Sequence, residues 1–140
     1  MSNWSDAIDG LGTVVQNGVT GVHAYNHPTD SVEGVPAVVV LPETMDPELA
    51  FGGNSFEGTL RLVVLIAAGD SSEAFAQLYD YLDPTVANKS IIKAIRDAPT
   101  LNGKVDASRV DRIENIGRRQ IGGGWFSGFD VIVDFVKSVA

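Results

Sequence analysis

The sequence contains no cysteine among its 140 residues. Disulfide bonds, thiolate metal sites and cysteine nucleophiles are therefore excluded, which fits a reducing compartment or a metal-free particle. The longest apolar run covers residues 62–68, far short of the roughly 18 residues that a membrane span needs. The first residues show neither the basic start nor the apolar stretch of a secretory signal, so we expect none.

Positive charge is scarce and unevenly distributed. The formal net charge is −8, and residues 1–88 hold twelve acids against one base, Arg61. Residues 89–119 reverse this balance, with eight bases and four acids. General nucleic-acid binding needs many basic side chains to displace phosphate counterions, so the composition opposes it. This uneven distribution of charge along the chain indicates either ordinary solubility or packing between copies, with a basic surface of one copy against an acidic surface of the next.

The length predicts a single domain that spans residues 1–140. Every second residue from Phe129 to Phe135 is a large apolar one, which places these residues on one side of a strand. Together with the run before the glycines at 122–124, this strand predicts a closing antiparallel hairpin over residues 109–139. The apolar spacing within 105–116 is irregular and indicates a bulge. Three earlier strands are expected at 19–26, 36–41 and 57–67.

Helical spacing of apolar residues predicts three helices. The first covers residues 3–17, with Trp4, Ile8, Leu11 and Val15 on one side. The second covers 74–82 after a capping box that begins at Asp70, and the third covers 90–98 and ends before a proline. We therefore predict an α+β fold. Its mostly antiparallel, twisted sheet has four to five strands, with the N-terminal helix and two further helices packed on one face.

Residues 42–58 read as a long polar loop. Compact domains rarely keep such loops beyond about 12–15 residues unless the loop functions or is disordered. This one also carries apolar side chains that are costly to leave in water. We interpret it as either a hairpin extension or an arm that a partner orders. The residues expected to contact a partner or a neighbouring subunit are Met45, Asp46, Glu48, Leu49, Phe51 and Phe56.

The sequence offers no convincing catalytic, cofactor or metal site. His23, His27 and Asp30 could ligate a metal, but no further ligand follows at a recognised spacing and Pro28 interrupts the strand. We interpret both histidines as exposed or hydrogen-bonded side chains. The glycines at 122–124 lack the order of a phosphate loop and fit a hairpin tip. Three acid pairs are interpreted as solvated charges: Asp46/Glu48, Asp80/Asp83 and Asp130/Asp134.

Basic and aromatic residues meet near the closing hairpin. Arg118 and Arg119 precede Trp125, a combination that could stack single-stranded nucleic acid. The acidic balance opposes that use, and Arg and Trp are also typical of subunit contacts. The predicted subunit interface comprises Arg109, Arg112, Arg118, Arg119 and Trp125.

The order and size of these elements resemble the tail terminator, or tail completion, proteins of long-tailed, non-contractile bacteriophages. Five segments carry the resemblance: residues 36–40, 58–67, 75–82, 89–95 and 124–133. They correspond to a strand before the long loop, a strand, a helix, a short helix and the closing strand. The match covers nearly the whole chain, but the family has no reactive signature that could be carried across.

The resemblance implies a ring-forming subunit, expected as a hexamer, without cofactor or enzymatic activity. The ring would cap the tail tube, end tail polymerisation and join the tail to head-completion proteins. Its partners would be further copies of itself, the major tail tube protein and a head-completion or stopper protein. DNA would pass through its centre without sequence-specific binding, and no membrane is involved. The chain would reside in the virion neck, and in the host cytoplasm during assembly.

Besides nucleic-acid binding through the strand at 109–119, whose affinity would fall steeply with salt, two other readings stay open at this stage. One is a head-closure (stopper) or other neck protein of the same particle. The other is a small cytosolic ligand-binding or enzymatic α+β domain, which would have a deep pocket lined by His23, His27 and nearby acids.

Overall fold

A computed structural model describes residues 3–27, 34–46, 55–69, 72–121 and 124–138. The predicted α+β class is confirmed. The elements follow in the order α1 (Asn3–Gly18), β1 (His23–Tyr25), β2 (Ala37–Asp46), β3 (Ser55–Ala68), α2 (Ser72–Leu82), α3 (Ile91–Arg96), β4 (Ala107–Ile121) and β5 (Gly124–Ser138). No helix within these ranges is long and apolar enough to cross a membrane.

The five strands form one mixed sheet in the order β1-β2-β3-β5-β4. Only β1 and β2 are parallel, and the other three pairs are antiparallel. The prediction of a mostly antiparallel sheet is therefore confirmed, as is the closing hairpin of β4 and β5. Strand β1 is shorter than expected, because α1 runs to Gly18 and a turn through Gly21, at φ 79°, follows it. The order leaves β1 at one edge and β4 at the other.

All three helices pack on one face of the sheet, which we call the helical face. The predicted alternation in β5 is confirmed there, since its odd-numbered residues point into the core. Burying each large apolar side chain stabilises the fold by about 1.5–3 kcal/mol. The largest fully buried side chains on this face are Leu11, Val15, Leu60, Leu62, Leu78, Ile91, Ile95, Leu101, Phe129 and Phe135.

Local signals fix the ends of the helices. Ser90 caps α3, because its hydroxyl accepts a hydrogen bond of 3.1 Å from the Lys93 backbone N–H. The N-cap satisfies one of the donors that every helix start leaves unpaired. Helix α2 begins at Ser72, and the predicted cap Asp70 lies outside the described residues.

The loop predicted at 42–58 is wrong for its two ends, which belong to strands. Residues 42–46 pair with 57–60 as β2 and β3 extend past the core, in keeping with the hairpin interpretation. The polar sequence hid the first of these strands because residues 42–45 are all exposed and show no buried face. Pro42 fits because a register shift between Pro42 and Thr44 interrupts the regular ladder, and proline is tolerated at bulges. Residues 47–54 lie outside the described part of the chain.

The second face of the sheet, which we call the open face, carries no helix among the described residues. It divides into two regions. At one end Val39, Val63 and Leu65 are buried against partly buried neighbours. In the middle lie charged side chains from β2, β3, β4 and β5, and this charged region contains several of the predicted interface arginines.

Candidate functional site

The register of β4 separates the predicted interface arginines onto two faces. Arg109 pairs with Asp134, and Arg119 pairs with Phe126, so both lie on the open face. Arg118 pairs with Ser127, whose hydroxyl donates to the backbone carbonyl of Ala74 in α2. Arg118 therefore lies on the helical face. The sequence placed Arg118 and Arg119 in one patch, whereas alternation along the strand separates them.

A buried carboxylate organises the centre of the open face. Asp130 is only 1% exposed, so its interpretation as a solvated charge is wrong. Its Oδ2 accepts hydrogen bonds of 2.6 Å from Arg61 Nη1 and 2.8 Å from Asn115 Nδ2. Arg119 Nη2 lies 3.1 Å from Oδ1 and 3.2 Å from Oδ2, and its hydrogen bond is directed to Oδ2. A buried charge needs such partners, because leaving water without them costs several kcal/mol.

Arg61 connects this carboxylate to two further acids. Its guanidinium donates two hydrogen bonds to Glu43, at 2.8 and 2.9 Å, and one of 3.2 Å to Glu114. These hydrogen bonds, with Glu43 first, raise the pKa of Arg61 above its ordinary value. The hydrogen bonds from Arg61 in turn lower the pKa of Glu43. One β3 side chain therefore binds carboxylates from β2, β4 and β5, the three other long strands of the sheet.

Arg112 belongs to the same network. Its Nε donates a 2.6 Å hydrogen bond to Glu114, and its Nη1 donates to Asp111. The bond from Arg112, followed by that from Arg61, holds the pKa of Glu114 below its ordinary value. The Arg112 side chain is still 53% exposed, so it also reaches the surface. The Arg119 side chain is 25% exposed and binds Asp130.

Arg118 and Trp125 form a surface cluster at the end of the β4–β5 hairpin. The guanidinium carbon lies 4.6 Å from the centre of the indole ring, a cation–π arrangement worth about 0.5–1 kcal/mol at an exposed site. Trp125 is 45% exposed, and Ile116 on the same hairpin is 56% exposed. Sequence reasoning missed Ile116, which lies in a bulge between Glu114 and Gly117.

The predicted partner-contacting segment is described only in part. Met45 lies in β2 and is 49% exposed. Its sulfur accepts a 3.1 Å hydrogen bond from the Trp4 indole, which also packs edge-on against Phe135. For Asp46 and Phe56 the structure describes the backbone alone. Glu48, Leu49 and Phe51 lie outside the described residues.

Two grooves accompany these features. One, of about 500 Å³, lies at the end of the sheet where β2 and β3 extend past the core. It is lined by residues including Thr59, Arg109 and Asp134. Its polar groups bind one another: the Thr59 hydroxyl donates 3.2 Å to Asp134, and Arg109 donates 3.3 Å to the other oxygen. The other, of about 480 Å³, lies between α1 and the segment around α3.

The two histidines are exposed, one in β1 and the other just after it. Asp30, the third possible ligand, lies outside the described residues. Within the described ranges, no three His, Cys, Asp or Glu side chains are grouped to hold a metal ion.

The hub of the charge network was not identified as a site residue from sequence. One signal could have found it, because Arg61 is the only base among the first 88 residues and stands within an apolar strand. A lone arginine in such a strand requires acidic partners from neighbouring strands.

No protein-family model matches this sequence, and no curated protein matches it at a significant level.

Proposed function

We propose that this chain is a structural subunit of a bacteriophage neck that forms a ring, caps the tail tube and ends tail polymerisation. The supporting observation is the element order α1-β1-β2-β3-α2-α3-β4-β5 with its closing hairpin. The α+β class of the fold agrees with the α+β subunit that the resemblance to tail terminators implies. The proposal rests on this agreement in architecture.

The surface chemistry fits a protein that works by contact. Trp125, Arg118 and Ile116 offer exposed aromatic, cationic and aliphatic groups in one hairpin, and such residues supply much of the energy of protein interfaces. The net charge of −8 suits a channel, since negative walls let phosphate pass without adhering. A rigid sheet held by the Arg61 network provides a fixed frame for such contacts.

Particles from a phage that encodes this chain provide the test. Gold-labelled antibodies against the chain should mark the junction between head and tail in electron micrographs. Withdrawing the chain from an otherwise complete assembly should produce tubes of uncontrolled length that do not join heads. Tubes of normal length joined to heads in its absence would contradict the proposal. The stopper alternative would be favoured if the label lay at the head-proximal side of the junction and tubes kept their normal length when the chain was withdrawn.

The groove at the end of the sheet where β2 and β3 extend past the core favours a second candidate, a small-molecule-binding domain. Its volume of about 500 Å³ falls within the range of ligand sites. Its polar groups already bind one another, which reduces what they can offer a ligand. A rise in the unfolding temperature with a metabolite, lost on Asp134→Ala, would support this candidate.

A further inference from the structure

We propose that the two opposite edges of the sheet bind each other in neighbouring copies of this chain. The β4 edge of one copy would lie against the edge formed by α1 and β1 of the next copy. This inference rests on the proposed ring and names the surfaces that build it.

The topology makes such a contact directional. Strands β1 and β4 are the outermost strands of the described sheet, so the two surfaces lie on opposite sides of the subunit. A contact between two different surfaces is heterologous and propagates head to tail, closing into a ring when the rotation per subunit permits. A contact between two β4 edges would instead stop at a dimer.

The β4 edge is basic. The strand carries four arginines and two acids. Arg109 is the most exposed of the arginines in ion pairs, at 74%, and Arg112 is 53% exposed. Arg118 adds a further charge on the other side of the strand, where it stacks on Trp125. Arg119 neutralises the buried Asp130. Arg109 and Arg112 also bind acids, namely Asp134, Asp111 and Glu114, but more than half of each side chain is exposed. With Arg118 they therefore supply the exposed positive groups of this edge.

The opposite edge is acidic. Residues 3–27 include Asp6 and Asp9 and contain no lysine or arginine. The two acids lie one turn apart on α1, and both are partly exposed. Asp9 stands next to the end of β1, because Asn26 Nδ2 donates a 3.0 Å hydrogen bond to its Oδ1. Complementary potentials of this kind steer association and fix its register.

The backbone of β4 favours contact through side chains over simple strand addition. Register shifts interrupt the ladder between Val110 and Arg112 and again between Glu114 and Gly117. At the second, Asn115 has φ 54° and Gly117 has φ 139°, and Ile116 is exposed. Bulges of this kind disrupt edge pairing and re-aim side chains. Ile116 and Trp125 can then act as apolar anchors within the charged contact.

The acidic outer side of α2 is the main competing site on a second copy, since Glu73 and Asp80 are exposed there. The α1–β1 edge is preferred for the geometric reason above. Trp125 and α2 are neighbours within one copy, because the Gly69 N–H donates to the Trp125 carbonyl just before α2 begins. If the hairpin of one copy bound α2 of a second copy, these neighbouring surfaces would favour a two-fold dimer over a ring.

Charge exchange tests the inference. One variant carries Arg109→Glu with Arg118→Glu, and the other carries Asp6→Lys with Asp9→Lys. We expect the wild type to form rings by native mass spectrometry and sedimentation velocity. Each variant alone should associate at least about tenfold more weakly, a difference of about 1.4 kcal/mol. An equimolar mixture should restore rings that contain the two variants in equal numbers, because each repulsive contact then becomes attractive.

A matched variant, Glu73→Lys with Asp80→Lys, keeps the test specific. It makes the same charge change on α2 and should neither prevent assembly nor rescue the arginine variant. Circular dichroism checks the fold of every variant. If Asp6→Lys weakens the first turn of α1, a variant with Asp6→Asn and Asp9→Asn is used in its place. This variant should assemble more weakly than the wild type.

The outcomes separate this inference from the proposed function. The edge contact would be overturned if the mixture of folded variants stayed monomeric, or if the α2 variant restored rings with the arginine variant. In either case, rings formed by the wild type would leave the ring proposal standing. A wild type that is monomeric at every concentration would also overturn it, and the particle experiment would then decide the proposed function separately. Loss of oligonucleotide binding in the arginine variant, with assembly intact, would assign β4 to nucleic acid instead.

Discussion

Arg61 and Asp130 lie diagonally across β3 and β5, with Arg61 Nη1 2.6 Å from Asp130 Oδ2. The register pairs Arg61 with Ile132 and Val63 with Asp130, so the long arginine side chain reaches back along the sheet to the carboxylate. Because the same guanidinium binds Glu43 and Glu114, one residue fixes the relative positions of four strands.

Replacing Arg61 with methionine should leave Asp130 buried with fewer partners. We expect the free energy of unfolding in urea to fall by about 3–5 kcal/mol, as when one member of a buried ion pair is removed. Arg109→Met serves as the control, because this exposed pair with Asp134 should contribute less than about 1 kcal/mol. Adding Asp130→Leu to Arg61→Met should restore part of the loss. If Arg61→Met and Arg109→Met lowered the free energy of unfolding equally, the assigned role of Asp130 would be contradicted.

Gly58 should not tolerate a side chain. A Cβ atom there would lie 2.6 Å from two carbons of the Phe135 ring and 3.0 Å from the Trp4 ring. Gly58→Ala should therefore lower the free energy of unfolding by about 1–3 kcal/mol through overpacking. Gly34→Ala is the matched control, since no atom of the other described residues, beyond its chain neighbours, lies within 4 Å of its added Cβ. A neutral Gly58→Ala would show that Phe135 and Trp4 move aside freely.

Stability should depend on pH through Glu43. Hydrogen bonds from Arg61 lower the pKa of Glu43 in the folded chain below its ordinary value of 4.5. The stabilisation is therefore fully present above pH 4.5 and is lost as the pH falls through the lower folded pKa. Glu43→Gln should reduce the unfolding temperature at pH 7, and the difference from the wild type should shrink as the pH falls below 4.5. A difference that is independent of pH would indicate a packing effect instead.

The two tryptophans should respond differently to alanine. Trp4 packs against the Phe135 ring, with centroids 5.4 Å apart, so Trp4→Ala should lower the free energy of unfolding by more than about 1 kcal/mol. Trp125→Ala removes an exposed ring and should change it by less than about 1 kcal/mol, while weakening self-association. Urea titrations and sedimentation velocity on the same samples measure both effects. The reverse pattern would place the interface elsewhere.

Shortening the segment between β2 and β3 tests its proposed contact with the tube or a neighbour. Residues 47–54 can be replaced by a four-residue Gly/Ser linker without touching the paired residues Asp46 and Glu57. Loop length has a small effect on stability, so the unfolding temperature should change little. Tail capping should fail if this segment makes the contact. Normal joining of heads to tails by the shortened chain would remove that role.

Periodicity predicted much of the fold, because buried faces impose it. The odd-numbered residues of β5 from Phe129 to Phe135 alternate with period two, and all are buried. Ser90 lies where a polar cap precedes an apolar helix. These patterns depend on neighbours in sequence and can be read without the tertiary structure.

The remaining features depend on residues distant in sequence. Glu43, Arg61, Glu114 and Asp130 come from four strands, and each alone resembles an ordinary surface charge. Only the strand order and register bring them together. Residues 42–46 looked like a loop for a similar reason, since their strand character comes from pairing with β3. The bulge predicted within 105–116 is confirmed, but its effect of exposing Ile116 required the three-dimensional position.

The left-handed residue Asn115 and its bulge have a consequence for the outer edge of β4. A smooth edge of fifteen residues would act as a template on which other polypeptides could stack into fibrils. The kink at residues 115–117 limits any such stacking to short stretches. An edge interrupted in this way is a poorer template for added strands than an unbroken strand of the same length would be.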